Sequence, residues 1–220
     1  TYLCGGSLLS QTWSLPAAHC IPYAAPQGTI TVGAHNLWNS GTNYTIKSIV
    51  NHPGWNRYKR NNDVALINHK SVAFSDTVKP ICLPSPDVCF NEGTACVVSG
   101  WGYTTERGPI SDTLQEVAVK IIDYQTCSDS TMYSTMVFPD SQVCAGYVDG
   151  QKDSCAGDSG GPLACRLGPN DPWVLYGVVS WGWGCARARK PGVYAKASHY
   201  HDWIEETTGG FGKVSLPEKA

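Results

Sequence analysis

The chain has 220 residues, a formal charge of −2, and ten cysteines against two methionines. That length supports a sizeable core, in one all-β domain or in two small barrels. The balanced charge leaves no nucleic-acid footprint, no run of about 18 apolar residues offers a membrane span, and ten thiols point to an oxidising compartment.

Short segments rich in β-branched and aromatic residues recur at 29–32, 44–50, 64–68, 95–99, 117–122, 174–179 and 193–197, separated by glycine, proline and asparagine. This spacing predicts an all-β fold. Ser198 then stands where it can cap a terminal helix with Tyr200, Trp203, Ile204 and Thr207 on one face, stopped by Gly209 and Gly210. No signal-peptide pattern opens the sequence, so secretion is an expectation from the cysteines alone. Asn43-Tyr44-Thr45 fits the acceptor pattern for N-glycosylation, and equally an unmodified loop asparagine. His35, His52, His69, His199 and His201 lack metal-ligand spacing and are expected at the surface or in packing.

The densest chemistry lies in Gly157-Asp158-Ser159-Gly160-Gly161-Pro162. Small neighbours let a carbonyl approach the Ser159 hydroxyl, and the N–H groups of Gly157 and Ser159 are placed to converge on the oxyanion formed by attack. A serine is a poor nucleophile without a base and a group to orient that base. Ala17-Ala18-His19-Cys20 offers the base, and Asn62-Asp63-Val64-Ala65-Leu66-Ile67 offers a carboxylate at the head of an apolar run. Taken singly, His19 also fits a packed core residue and Asp63 a turn cap.

The order His19, Asp63, Ser159 and the residues around each resemble the trypsin and chymotrypsin family of serine proteases. The resemblance runs from Cys4-Gly5-Gly6-Ser7-Leu8 to Trp203-Ile204, through Pro80-Ile81-Cys82-Leu83-Pro84, Ser99-Gly100-Trp101-Gly102, Val179-Ser180-Trp181-Gly182 and Lys190-Pro191-Gly192-Val193-Tyr194. It implies two antiparallel six-stranded-type β-barrels, the first lacking its opening strand, and a C-terminal helix. The expected division is 1–76 for the first barrel, 77–197 for the second, 198–208 for the helix and 209–220 for a tail that is a linker or a disordered end. His19 and Asp63 then belong to the first barrel and Ser159 to the second, with the site in the cleft between.

By the same resemblance His19 takes the Ser159 proton and later gives it to the leaving amine, while Asp63 holds the imidazole and Ser180 supports Asp63. Ser180, Trp181 and Gly182 form an edge that pairs with an extended substrate. Asp153 lies at the bottom of the specificity pocket beside Ser154, and Gly182 and Gly192 are wall positions without side chains. A buried carboxylate selects a cation, so the implied substrates are proteins and peptides with Arg or Lys before the scissile bond. Arg60 projects toward the next subsite and disfavours basic side chains there, or belongs to a solvated loop. Trp181 and Trp183 are an aromatic platform or rim packing, and Arg187-Ala188-Arg189-Lys190 reads as a solvated loop rather than an exosite.

Four disulfides follow from the family match: Cys4–Cys20, Cys96–Cys165, Cys127–Cys144 and Cys155–Cys185. The first closes a loop of about 15 residues beside His19, a constraint of roughly 3 kcal/mol in the chain-entropy model. Cys82 is expected to bridge to a propeptide or second chain, and Cys89 to pair with Cys82 or with a segment outside the sequence. Asp158 is implied to receive a freed N-terminal amino group from upstream of Thr1, which the sequence as given does not contain. Pro16 replaces the family's Thr or Ser. Ala34 and Thr42 replace the glutamates of calcium-binding relatives, so no metal and no cofactor are expected. Protein inhibitors are expected partners. The alternative reading is a protease-fold scaffold, inactive for want of the activation segment.

Overall fold

The computed structural model describes residues 3–21 and 28–210, so the tail from residue 211 onward lies outside the described residues. Strands β1 (Ser7–Leu8), β2 (Trp13–Leu15), β3 (Thr29–Val32), β4 (Thr42–Asn51) and β5 (Ala65–His69) form a sheet in the order β1-β2-β5-β4-β3. It is open among the described residues. Strands β6 (Ala95–Gly100), β7 (Gln115–Ile122), β8 (Gln142–Gly146), β9 (Pro162–Cys165), β10 (Val174–Trp181) and β11 (Gly192–Lys196) close a barrel in the order β10-β11-β8-β7-β6-β9. The pairs around it are antiparallel. The fold is all-β, with two barrel-like sheets and a short C-terminal helix.

Side-chain alternation explains the strands. In β3 the two threonines face solvent while Ile30 and Val32 turn inward, the period of two that a half-buried strand requires. In β10 every residue but Trp181 is buried, so its apolar run is nearly continuous. Leu9, Leu15, Ala17, Cys20, Val64 and Leu66 from the first sheet and its connections share one core with Leu175, Val178, Ala195, Ala197, Tyr200 and Ile204 from the second sheet and the C-terminal segment. This apolar seam fixes how the two sheets meet. His19 and Asp63 follow or precede seam residues directly in the chain.

The terminal helix departs from the expectation. Beyond the one-turn helix α1 (Tyr124–Cys127), a 3-10 turn over Ala197–Tyr200 comes first, and helix α2 spans His201–Thr208 with Tyr200, not Ser198, at its N-cap. Ser198 is 2% exposed and its hydroxyl has no hydrogen-bond partner among the described residues. Its neighbours Ala197 and Tyr200 are drawn into the seam, which winds the chain tightly and turns Ser198 inward. Gly209 ends α2 in the left-handed region at φ 79°, its N–H donating to the Glu205 carbonyl at 3.0 Å.

The structure closes four disulfides, Cys4–Cys20, Cys96–Cys165, Cys127–Cys144 and Cys155–Cys185. Cys82 and Cys89 are free, so the Cys82–Cys89 pairing is not formed. Cys82 is half-buried against the barrel core, and its carbonyl accepts from the Leu175 N–H at 2.9 Å. Cys89 is exposed.

Ile204, fully buried in the seam, tests how far the two sheets depend on α2. Ile204→Ala should lower unfolding stability by about 2–5 kcal/mol, read from the denaturant midpoint at unchanged slope. A loss under about 0.5 kcal/mol would mean that the helix contributes little to the seam.

Candidate active site

Asp63 sits at the end of a strained turn. Arg60 (φ 53°) and Asn62 (φ 56°) are both left-handed, costly for a side chain as large as arginine. The turn is tied down from outside. The Gln142 side chain donates to the Arg60 carbonyl at 2.7 Å, the Ser141 hydroxyl to Asn61 Oδ1 at 2.7 Å, and Asn62 Nδ2 to the Gly54 carbonyl at 2.9 Å. Two of these three bonds come from β8 or the residue before it. The two asparagines therefore hold the turn, which leaves the Asp63 carboxylate for other partners.

Asp63 is 2% exposed and its carboxylate takes three donors. His19 N–H donates to Oδ1 at 2.8 Å, while His19 Nδ1 lies 2.7 Å and Ser180 Oγ 2.5 Å from Oδ2. An ionised carboxylate only accepts, so Nδ1 carries the proton in this arrangement and Nε2 is the ring's acceptor nitrogen. The His19 side chain is 33% exposed. Pro16, lacking the family's hydroxyl, still accepts from Ala65 N–H at 3.0 Å and keeps the His19 segment on β5.

The Ser159 loop lies against the same segment. Gly5 N–H donates to the Ser159 carbonyl at 2.8 Å, and a Cβ on Gly160 would stand 3.0 Å from Ala17 N. Gly160 N–H donates to the Val179 carbonyl, one residue before Ser180. Ser159 is thus held between the His19 segment and β10. Its hydroxyl makes no hydrogen bond to the His19 ring, whose Nε2 contact is Cys20 Sγ at 3.8 Å. Bonds of this kind commonly tighten only when substrate fills the site. The N–H groups of Asp158 and Gly161 are engaged with Cys155 and Asp158 carbonyls, whereas the Ser159 N–H has no acceptor among the described residues.

Two more carboxylates, Asp158 within this loop and Asp153 just upstream of it, both line a cavity of about 240 Å³. Asp158 accepts from Gly102 N–H at 2.8 Å and Cys155 N–H at 2.9 Å. A Cβ on Gly100 or Gly102 would collide with its carboxylate, which gives the Ser99-Gly100-Trp101-Gly102 motif a physical reason. Burial pushes its carboxyl above the ordinary value, against the pull of those two N–H groups. Asp153 accepts from Ser154 N–H at 2.8 Å and Ala186 N–H at 3.1 Å. Burial pushes it up to about 6, opposed by the N–H groups of Ala186, Ser154 and Gly192 and assisted by the charge of Asp158. Ser154 Oγ pairs with the fully buried Tyr194 hydroxyl at 3.1 Å, a partner the sequence did not announce.

Gly192 and Gly182 lack side chains for different reasons. A Cβ on Gly192 would stand 2.8 Å from Tyr194 and 2.9 Å from Asp153 Oδ1, so packing excludes it. A Cβ on Gly182 would meet nothing nearer than 3.7 Å, so packing alone does not demand glycine there. Trp181 and Trp183 both pack edge-on to Tyr133, at 4.9 and 5.5 Å between ring centroids, and the Arg60 guanidinium lies 5.5 Å over Trp181. Tyr133, absent from the expected site, donates to the Pro191 carbonyl at 2.7 Å.

The basic run 187–190 is exposed at Arg187, Ala188 and Arg189, as a solvated loop would be, yet its side chains are engaged. Arg187 pairs with Glu106, Arg189 bonds Thr131 Oγ1, and Lys190 donates to the Thr131 carbonyl at 3.1 Å and to that of Met132. Each basic side chain fastens the loop to a neighbouring segment. A geometric grouping of Cys4, His19 and Cys20 is no metal site, because both sulfurs are consumed in one disulfide.

The sequence profile named Trypsin matches residues 1–204. The chain belongs to the trypsin-like serine protease family. Human transmembrane protease serine 5 is 40% identical over 217 residues, covering 94% of this chain. The chain spans 46% of that relative's length. No helix among the described residues is long and apolar enough to cross a membrane.

The raised carboxyl of Asp153 makes a pH prediction. A carboxyl raised by burial stabilises the folded chain in its protonated form, fully below the ordinary 3.8 and no longer once pH passes about 6. A cationic guest needs the ionised form. Affinity for benzamidine, a flat amidinium, should therefore drop about tenfold per pH unit below about 6 and level off above it. Titration calorimetry between pH 5 and 8 checks this, and a flat profile would count against Asp153 as the acceptor.

Proposed function

We propose that the chain is the peptidase domain of a secreted serine endopeptidase that cleaves after Arg or Lys through an acyl-enzyme. The observation that carries it is the buried Asp63 carboxylate, joined to His19 Nδ1 at 2.7 Å and to Ser180 Oγ at 2.5 Å beside the Ser159 loop. In this reading Ser159 Oγ attacks the scissile carbonyl and its proton passes to His19 Nε2. The N–H groups of Gly157 and Ser159 receive the oxyanion. The C–N bond breaks as the imidazolium returns the proton to the leaving amine. Water, deprotonated by His19, then cleaves the ester and restores Ser159.

Asp153 in its slot supports the Arg or Lys preference, since an uncompensated buried carboxylate gains most from a guest that brings positive charge. Arg can pair bidentately, and Lys can reach through Ser154 or water. Gly182 keeps the slot's mouth open. Ser180, Trp181 and Gly182 supply the edge for an extended substrate. Next to them Tyr58, Lys59, Arg60, Thr135, Met136, Phe138 and Trp181 line a groove of about 390 Å³ with two cations and no carboxylate. That charge disfavours basic side chains upstream of the cleaved residue.

Asp158 is read as the acceptor for the freed amino group, which would offset the burial that now raises its carboxyl. The division into barrels at 1–76 and 77–197, with a helix to 208, is kept as the domain reading. Cys82 is the proposed link to a propeptide or second chain, and protein inhibitors are the proposed regulators. Asn43, exposed on β4 with Thr45 on the same face, is the proposed glycosylation site. A second reading, a protease-fold binding protein without turnover, is favoured by the unmade Ser159–His19 hydrogen bond.

Three outcomes are expected. Ser159→Ala should abolish turnover of Arg and Lys peptides, and wild-type turnover no higher than that variant's would favour the binding-protein reading. Asp153→Ser should remove the preference for Arg and Lys over Phe and Ala, with retained preference sinking the slot assignment. In a secretory host, glycosidase treatment should sharpen and lower the mass of the wild type and leave Asn43→Gln unchanged; an identical wild-type mass before and after would refute glycosylation.

A further inference from the structure

The loop between β10 and β11 forms one wall of the Asp153 slot, and its backbone is unfavourable. Gly184, Ala186 and Arg189 are all left-handed, at φ 78°, 55° and 59°. Two of them carry side chains, so the surroundings must impose this shape. From the protein side, Ala186 N–H donates to Asp153 Oδ2, Ala186 O accepts from Gln151 N–H at 2.9 Å, and the Cys155–Cys185 disulfide closes the base.

From the solvent side the fastening is Glu106. Arg187 Nε donates to Glu106 Oε2 at 2.8 Å and Nη2 to Oε1, a two-point pairing, and the Cys185 backbone N–H is directed at the same carboxylate. The guanidinium lies folded over Gly184, where a Cβ would strike it. Glu106 belongs to the segment between β6 and β7, whose Gly102 N–H holds Asp158 and whose Tyr103 N–H donates to the Ala156 carbonyl at 2.8 Å. One segment therefore grips the slot wall through Glu106 and the Ser159 loop through Gly102 and Tyr103. The cavity containing Asp153 and Asp158 lies between the two grips, lined by Glu106, Cys185 and Ala186.

We propose that Glu106 and Arg187 are positioning residues that hold the slot wall at the spacing a cationic side chain needs, coupling it to the segment whose Gly102 N–H holds Asp158. This rests on the Arg/Lys reading above. The pair touches no substrate; it acts through the Ala186 N–H and the wall beyond it. The Arg187 and Glu106 side chains are 54% and 33% exposed, so the pair is screened by salt and its effect is modest.

The test uses the full-length protein with Glu106→Gln, Arg187→Gln and the exchanged double variant Glu106→Arg/Arg187→Glu. Benzamidine reports the slot alone, a fluorophosphonate reports Ser159 alone, and an Arg peptide separates KM from kcat. Each single variant should raise the benzamidine Kd and the KM about two- to fivefold while kcat and the labelling rate stay at wild-type values. The double variant should recover most of the loss, and about 1 M salt should bring wild type and single variants together. Single variants with wild-type Kd overturn the proposal. So does a loss in Kd matched by an equal loss in labelling, because it reports general disorder. A wild type that labels at Ser159 but does not bind benzamidine overturns the Arg/Lys reading and this inference with it.

Discussion

A carboxylate with 2% exposure is tolerated at Asp63 because three donors reach it, and those donors come from both halves of the molecule. Two are the backbone and ring of His19, in the 3-10 turn that follows β2 of the first sheet, and the third is Ser180 on β10 of the second. An unpaired buried charge costs far more than any surface contact can return, so the two sheets are committed to one relative position by this single group. The apolar seam supplies the contact area, but hydrophobic burial has no direction. Direction comes from the Asp63 hydrogen bonds.

The same rule, applied to Asp153 and Asp158, has the opposite outcome. Both accept backbone N–H groups and neither has a cationic partner among the described residues, and burial raises both carboxyls. Backbone dipoles make such a burial bearable without neutralising it. Asp63 is thus a completed site, whereas the other two are sites at which an incoming positive charge is favourable. They also line one cavity, and the charge of Asp158 adds to the rise at Asp153.

What the sequence makes legible follows from the range of the interactions. The glycine-framed Ser159, the His19 segment and the Asp63 segment are readable because their chemistry is written within six consecutive residues. The long strands show in their periodicity, while β1, β2, β8 and β9 do not: the first two span two and three residues, too short for any period, and β9 follows the serine motif without a break. Ser198 has the chemistry of a cap, and only the pull of Ala197 and Tyr200 into the seam decides against it. The fastening of Arg187 and Arg189 is invisible along the chain, since their partners lie 81 and 58 residues away. The contacts of Tyr133 with Pro191 and of Tyr194 with Ser154 escape notice for the same reason.

The strained turn before Asp63 ties these threads together. Arg60 and Asn62 adopt backbone angles that neither would choose alone, and the bonds that impose them come largely from Ser141 and Gln142 at the start of β8. A first-sheet turn is therefore shaped by the second barrel, so the position of Asp63 depends on the barrel beside it. The seam, the turn and the carboxylate depend on the same docking of two sheets. This makes the His19–Asp63–Ser180 geometry a property of the assembled fold: the residues are legible in sequence, but their charge relations exist only once both halves have met.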